Sequence, residues 1–463
     1  MSTAANTREP ERTAARRFFV ETWGCQMNER DSQRLTGALM EEGLLPTREP
    51  AEADVILLNS CSVREKAEQK VYSRLGRYRR LKSDRPGLVI GLCGCVAQEA
   101  GERALSRVPD LDFVLGPGRV AEIREALERR RKGERPVLTG FPAERDYAFD
   151  SISRESSFKG MVTIVEGCDK NCTFCIVPQT RGPERSRGMA EILDEVRHLV
   201  DFGFSEIELL GQTVNHWRQP GGEEDFADLL NAVARTPGVA RLRFVTSYPR
   251  DFTDRMVEQF GRHPNICPAL HLPVQSGSDP VLQRMGRGYS ADAYRELARR
   301  LKATRPGVAL STDIIVGFPG ETEEDFALTL QLLEELEFAQ VFAFTYSPRP
   351  GTAAPRLGGD VEPEEAAERL QRLFALQEPI QRRLNEALVG EHVEVVVTGL
   401  GKRPGMLTGR TSCHRVVHFE PDPSLVSGLG SSTVPLKAGR LTSVVVRQAY
   451  AHSLLAEPIA RVA

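Results

Sequence analysis

Cysteine is scarce in this chain, with nine in 463 residues. So few thiols in so long a chain exclude the disulfide framework of a small secreted scaffold and point to a reducing, cytoplasmic setting. Long apolar runs are missing too. No stretch reaches the roughly 18 consecutive apolar residues of a membrane helix, so no membrane is expected among the partners. The segment 1–16 is polar and Arg-rich without an apolar centre, which argues against a secretory signal and reads as a disordered tail. There is also no charge excess: 61 Lys and Arg stand against 64 Asp and Glu, a formal net charge of −3. A nucleic-acid partner would have to be held by a local patch.

What is present is ordinary globular composition, 40% hydrophobic and 27% charged, over a length with room for several cores. From residue 17 the chain alternates strand-like and helix-like segments. RFFVETW, ADVILLNS, GLVIGL and DFVLG read as buried strands, and DSQRLTGALMEEG reads as a capped helix with Leu35 and Leu39 on one face and Gly43 ending it. This predicts an α/β fold with a doubly wound parallel sheet over 17–135, followed by a linker at 136–153. A second block, 154–389, holds six candidate strands: MVTIVEG, EIELLG, RLRFVTS, ALHLPV, VALSTDIIVG and AQVFAFTYS. Six β/α units suggest a partial (β/α)6 barrel whose active face is the C-terminal strand end, with a long helical connector behind it. In 390–463 the segments EHVEVVVTG, RVVHFE and LTSVVVRQAY, with Gly and Pro in the turns, predict a small all-β barrel.

Three of the nine cysteines crowd into EGCDKNCTFCIVP. Cys168, Cys172 and Cys175 follow the first strand of the second block, so one loop can turn three thiolates to a common centre. Zinc with a distant fourth ligand is one occupant. An iron–sulfur cubane is the other, and three cysteines would leave one of its irons open to a small molecule. Cys25, Cys61 and Cys95 each stand just past the end of a predicted parallel strand, the edge where doubly wound sheets bind ligands. Free cysteines are commonly small apolar core residues, yet the matched placement of these three favours a second cluster. Cys93 belongs to a strand end, and Cys267 and Cys413 have no evident partners; all three read as structural.

The C-x3-C-x2-C after the first barrel strand resembles the radical S-adenosylmethionine (SAM) enzymes. GCQMNERDS, NSCSVREKAEQKVYSRL, GCVAQ, LLGQTVN, HLPVQSGSD, STDIIVGFPGETEEDF and YSPRPGTAA, in that order, resemble the methylthiotransferase branch over about residues 17 to 450. The resemblance implies a methylthiotransferase N-terminal domain, a radical-SAM domain and a C-terminal TRAM domain that binds RNA. It implies two [4Fe-4S] clusters, one on Cys168, Cys172 and Cys175 and one on Cys25, Cys61 and Cys95, with SAM as the second cofactor. GCQMNERDS, CSVREKAEQK and LLGQTVN are similar to the members that methylthiolate C2 of N6-dimethylallyladenosine at position 37 of tRNA. The first cluster would serve hydrogen abstraction, the second sulfur donation, and a second SAM the methyl group. Sister enzymes act on threonylcarbamoyl-adenosine in tRNA or on a ribosomal-protein aspartate; a reading of another class is a non-catalytic iron–sulfur RNA-binding sensor. Implied partners are tRNA carrying a dimethylallyl-type adenosine and a reducing electron donor such as flavodoxin or ferredoxin. Gln179, His216, Trp217 and the SYP at 247–249 depart from the family pattern.

Candidate SAM contacts at the barrel strand ends are Gln212, Asn215, Ser247, Gln275, Asp313 and Arg349, with Gly317 and Gly320 as points of close backbone approach. For RNA, residues 390–463 carry eight Lys and Arg against five Asp and Glu, with Lys402, Arg403, Arg410, His414 and Arg415 around turns of the small barrel. RLGRYRRLK, from Arg74 to Lys82, is a second basic candidate.

Overall fold

A computed structural model describes residues 16–62, 65–142, 147, 152, 159–421 and 439–459. The chain divides into two compact units, Met1–Ser153 and Arg154–Ala463. The disordered tail expected at 1–16 lies, except for Arg16, outside the described residues.

The first unit runs β1 (Arg17–Trp23), α1 (Gln26–Glu41), β2 (Leu45–Pro46), β3 (Val55–Ser60), α2 (Glu65–Asp84), β4 (Val89–Gly94), α3 (Cys95–Ala100), α4 (Glu102–Arg107), β5 (Phe113–Leu115), α5 (Ile123–Arg131) and β6 (Val137–Leu138). The strands form one parallel sheet in the order β2-β1-β3-β4-β5-β6. β6 stands in the stretch read as linker. Successive strand side chains point to opposite faces, so the continuous apolar run of β3 serves two cores. Val55 and Leu57 pack with Leu35 and Leu39 of α1 and Ile123 of α5. Ile56 and Leu58 pack with Val71, Leu75 and Tyr78 of α2 on the other face. The first helix begins at Gln26, ahead of the Asp31 start that its apolar period indicates. Its first six residues bury polar Asn28, Arg30 and Asp31 beside the single apolar Met27, too little for a hydrophobic period to read.

The second unit opens with β7 (Gly160–Thr163), β8 (Val165–Glu166), α6 (Val177–Arg181) and β9 (Arg185–Ser186). It continues with α7 (Met189–Asp201), β10 (Glu206–Leu210), α8 (Phe226–Ala234), β11 (Arg241–Phe244), α9 (Asp254–Arg262), β12 (Ala269–His271), α10 (Asp279–Arg284), α11 (Ala291–Thr304), β13 (Ala309–Val316), α12 (Glu323–Leu336), β14 (Gln340–Thr345) and α13 (Pro363–Glu386). β7, β10 and β11 make one parallel three-stranded sheet and β12, β13 and β14 another, with Leu242 bridging to Ile266 in the parallel sense between them. All six expected barrel strands are present. Polar side chains start the helices cleanly: Asp225 and Thr322 form capping boxes with Asp228 and Asp325.

The outward faces of β10 and β11 pack Ile207, Leu209 and Leu242 into the main core. The alternate positions are charged and still buried. Arg243 donates to Glu206 at 3.0 Å, Arg241 stands 3.5 Å from it, and Lys159 pairs with Glu208. The chain ends in a closed barrel, β15-β16-β17-β19-β18, built from β15 (His392–Leu400), β16 (Leu407–Thr411), β17 (Val416–Phe419), β18 (Leu441–Ala449) and β19 (Leu454–Pro458). The sequence indicated β15, β17 and β18; β16 (LTGRT) and β19 (LLAEP) lack the apolar alternation that marks a strand. The charged strand face meets this barrel. Arg241 donates to Glu394 at 2.8 Å, and Arg243 donates to the Thr411 carbonyl at 2.8 Å.

Candidate metal and cofactor centres

In the first unit Cys25 is the N-cap of α1, Cys61 follows β3 and Cys95 opens α3. Each therefore sits at the C-terminal edge of its strand. The three thiols meet there. Cys61 is pushed far above the ordinary thiol range, first by hydrogen bonding with Cys25 and with Cys95, then by burial. The geometry is held by an amide pair: the Asn28 side chain donates to Asn59 Oδ1 at 3.1 Å, and Asn59 donates back to the Asn28 carbonyl at 2.9 Å. Cys25 Sγ lies 3.3 Å from Asn28 Oδ1. Among the described residues the buried hydroxyls of Ser60 and Ser62, on either side of Cys61, have no hydrogen-bond partner. Cys93 points elsewhere. It is 1% exposed among Phe18, Leu57, Phe113 and Leu115, and burial raises its pKa.

In the second unit the cysteine loop joins β8 to α6. Cys168 lies 3.5 Å from Thr213 Oγ1; burial raises its thiol, and this hydrogen bond partly offsets the rise. Cys175 is pushed up to about 12 by burial, against the pull of the Val177 amide, and it feels the charges of Cys172 and Cys168. Gly167, with φ +80°, lets the loop pass so close that an added Cβ would stand 2.1 Å from the Pro183 carbonyl oxygen. Gln212 fastens the same point by accepting from the Gly167 amide at 2.5 Å. Among the described residues, no three His, Cys, Asp or Glu side chains form a single-ion site. In a cubane each cysteine holds a different iron. Two all-thiol triplets, each without a carboxylate or histidine donor, fit that chemistry better than the mixed donors of a typical zinc centre.

The other candidates divide by what they touch. The Ser247 hydroxyl is buried and has no hydrogen-bond partner among the described residues. Gln275 has φ +79° and Thr246, just past β11, has φ +69°, two of the four non-glycine residues with positive φ among the described residues. Such backbone strain gathers where a ligand is gripped. Asp313 pairs with His271 at 3.4 Å, and Arg349 is buried. Asn215 is committed to the scaffold: its amide donates to the Tyr248 carbonyl at 2.9 Å and accepts from the Tyr248 N–H at 2.8 Å. Gly317 belongs to a turn closed on itself, since its N–H donates to Glu321 at 2.6 Å and Glu321 pairs with buried Arg369. The departure at Trp217 has a packing reason, because the ring is fully buried and its indole N–H donates to the Arg187 carbonyl at 2.9 Å.

One residue beside the second triplet has no strong sequence signal. Arg287, between Gly286 and Gly288, donates from Nη1 to Cys172 Sγ at 3.3 Å. Its only local mark is an arginine framed by two glycines, both with positive φ.

Residues 17–116 match the family described as "Uncharacterized protein family UPF0004", and residues 162–333 match the "Radical SAM superfamily". The tRNA-2-methylthio-N(6)-dimethylallyladenosine synthase of Geobacter sulfurreducens is 43% identical over 443 residues, covering 95% of this chain and 97% of that one. The enzyme of the same name from Anaeromyxobacter dehalogenans is 46% identical over 434 residues, 92% of each chain. The chain belongs to the tRNA-2-methylthio-N(6)-dimethylallyladenosine synthase family. Among solved structures, the radical SAM methyltransferase TsrM from Kitasatospora setae superposes with a TM-score of 0.52 at 14% identity, over 85% of this chain and 77% of that one, a likeness of fold alone.

For a member of this synthase family the basic surfaces matter, and the structure sorts them. Lys402 and Arg403 are exposed. Arg415 instead donates to Asn385 at 2.7 Å and to Cys413 at 2.8 Å, and His414 is turned under Arg243, Arg410 and Lys159. Cys413 and Cys267 show no evident partners in the sequence. Cys413 bonds Arg415, and Cys267, buried at the same junction, feels the charge of Cys413. On α2, Arg74, Arg79 and Lys82 are paired with Glu21, Asp110 and Asp112, so this helix is largely tied into its own unit. Among the described residues, no helix is long and apolar enough to cross a membrane.

Proposed function

We propose that this enzyme methylthiolates C2 of N6-dimethylallyladenosine at position 37 of tRNA. The observation that carries the reading is the pair of thiol triplets, each gathered at a C-terminal strand edge of its own sheet. Cys168, Cys172 and Cys175 hold one [4Fe-4S] cluster, and Cys25, Cys61 and Cys95 hold the other. When bound, these groups with SAM supply the radical hydrogen abstraction, the sulfur and the methyl group that no side chain can provide.

The protein's part is to hold and orient. Gln212 and Thr213 fix the first cysteine of the radical site. Ser247, Gln275, Asp313 and Arg349 line the strand ends that take SAM, while Asn215 holds the backbone of Tyr248, next to Ser247. The closed C-terminal barrel holds tRNA by its backbone through Lys402 and Arg403. A low-potential donor such as flavodoxin or ferredoxin supplies electrons.

The test incubates anaerobically reconstituted enzyme with SAM, dithionite and tRNA bearing dimethylallyl-adenosine, then digests the tRNA for mass spectrometry. The methylthio nucleoside and 5′-deoxyadenosine are both expected. Product only from threonylcarbamoyl-adenosine tRNA, or only from a ribosomal-protein aspartate, would reassign the substrate. Absence of 5′-deoxyadenosine would favour a non-catalytic sensor.

A further inference from the structure

We propose that Arg287 is the built-in counter-cation of the cluster on Cys168, Cys172 and Cys175 and sets its reduction potential. The inference rests on the cluster reading above and goes beyond it.

Arg287 is only 5% exposed. A guanidinium taken out of water normally pairs with a carboxylate, because an uncompensated buried charge is strongly unfavourable. Among the described residues no carboxylate stands within ion-pair distance of Arg287. Its donors go to Cys172 Sγ at 3.3 Å, to the Pro273 carbonyl at 2.8 Å and to the Tyr289 hydroxyl at 2.9 Å. Only the first of these can carry a negative charge near neutral pH. A buried cation aimed at a thiol is a site built for a thiolate, and an anionic thiolate-ligated cluster completes the pair.

The cation is also rigidly held. Its guanidinium carbon lies 4.5 Å from the Tyr248 ring centroid and 5.4 Å from that of Tyr289. The Tyr248 hydroxyl donates to the Arg287 carbonyl, and the Tyr289 hydroxyl donates to the Val274 carbonyl at 2.9 Å. Tyr248 is in turn clamped by Asn215. The turn that carries Arg287 is fastened to the cysteine loop itself. Thr173 donates its N–H to the Met285 carbonyl at 3.0 Å and its hydroxyl to the Arg284 carbonyl at 2.8 Å. At Gly286, with φ +70°, an added Cβ would stand 2.7 Å from the Asn171 carbonyl oxygen. Backbone and side chain together therefore place a permanent positive charge against one ligand sulfur.

Hydrogen bonds to the sulfurs and net local charge set the potential of such clusters. Reduction adds one electron from the external donor and moves no proton, since the guanidinium stays protonated throughout. The fixed charge favours the reduced, more negative form. Removing it should make the cluster harder to reduce without releasing its iron. Arg287 is a positioning and tuning group, not a catalytic residue.

The experiment is an EPR-monitored redox titration of anaerobically loaded, full-length protein with and without SAM. The signal that SAM perturbs belongs to this cluster. With full iron content, R287Q should cut the reduced-to-oxidised ratio at a fixed potential by about tenfold or more, a shift of about 59 mV or more for one electron. R287K, which keeps a cation and loses the fork, should shift less in the same direction. A loaded R287Q whose SAM-perturbed titration overlays wild type overturns the proposal. If R287Q does not load, R287K and Y289F decide: a smaller shift in the same direction supports it, and a wild-type curve overturns it. A wild-type protein whose reduced signal is indifferent to SAM would overturn the cluster reading, and this inference with it.

Discussion

Replacing Cys95 by alanine removes one corner of the first thiol triplet, whereas replacing Cys93 by alanine removes one atom from a hydrophobic core. Cys93 lies near the end of β4 and Cys95 opens α3 just beyond it. Cys93 faces Phe18, Leu57, Phe113 and Leu115 and is 1% exposed. Deleting its sulfur is comparable with a small buried deletion, about 1 kcal/mol. That is a minor part of the roughly 5–15 kcal/mol that holds a domain folded. Cys95, by contrast, hydrogen-bonds Cys61, which also bonds Cys25. If each triplet holds a four-iron cluster, as proposed, the chain carries about eight irons, so Cys95→Ala should retain about four, while Cys93→Ala should retain about eight. Iron and labile sulfide assays on anaerobically purified protein read this directly, and a urea titration reads the packing cost. Cys95→Ala should still cleave SAM to 5′-deoxyadenosine and yield no methylthio product; Cys172→Ala should keep the first cluster and cleave no SAM. If Cys93→Ala loses half the iron while Cys95→Ala keeps all of it, the ligand assignment is wrong.

Gly167→Ala would drive a Cβ against the Pro183 carbonyl, so iron bound by the second triplet and SAM cleavage should fall together while the first triplet stays loaded. Arg241→Ala should destabilise the second unit by about 1–3 kcal/mol, because it removes the donor to Glu394 and one of the two cations beside buried Glu206, which keeps Arg243. Glu394→Gln, at a half-exposed partner, should cost less than about 1 kcal/mol; urea midpoints compare the two. Lys402→Ala combined with Arg403→Ala should weaken tRNA binding and flatten its salt dependence by about one to two units of slope. An unchanged slope in filter-binding titrations would remove this turn from the RNA site. His414 is held well below its ordinary pKa by burial first, then by Arg243, Arg410 and Lys159. The unfolded chain takes up this proton near pH 6.5, and the folded site does not. The stability from this site is therefore complete above about pH 6.5 and is lost on acidification, by up to about 1.4 kcal/mol per pH unit. His414→Gln should narrow the difference between urea midpoints at pH 7.5 and pH 5.5; an equal difference in both proteins would refute the argument.

Much of this molecule is legible without coordinates because its chemistry sits at strand ends. A strand is announced by a short apolar run and its end by the residues that follow, so Cys25, Cys61, Cys95 and the crowded triplet can be placed by local pattern alone. The six barrel strands and the long helix α13 follow from the same short-range signals. What local pattern does not contain is which distant groups meet. The buried charges of β10 and β11 acquire their purpose only where Arg241 and Arg243 reach Glu394 and the Thr411 carbonyl of the C-terminal barrel. That Asn215 holds the Tyr248 backbone through both atoms of its amide is likewise visible only in the fold. β16 and β19 are strands because neighbours supply their hydrogen bonds, not because their residues alternate. Arg287 is the sharpest case. It stands 115 positions from Cys172 along the chain, and no periodicity links residues so far apart. Only folding, which buries the guanidinium without a carboxylate and fastens its turn to the cysteine loop, converts an ordinary arginine into a charge that needs a thiolate.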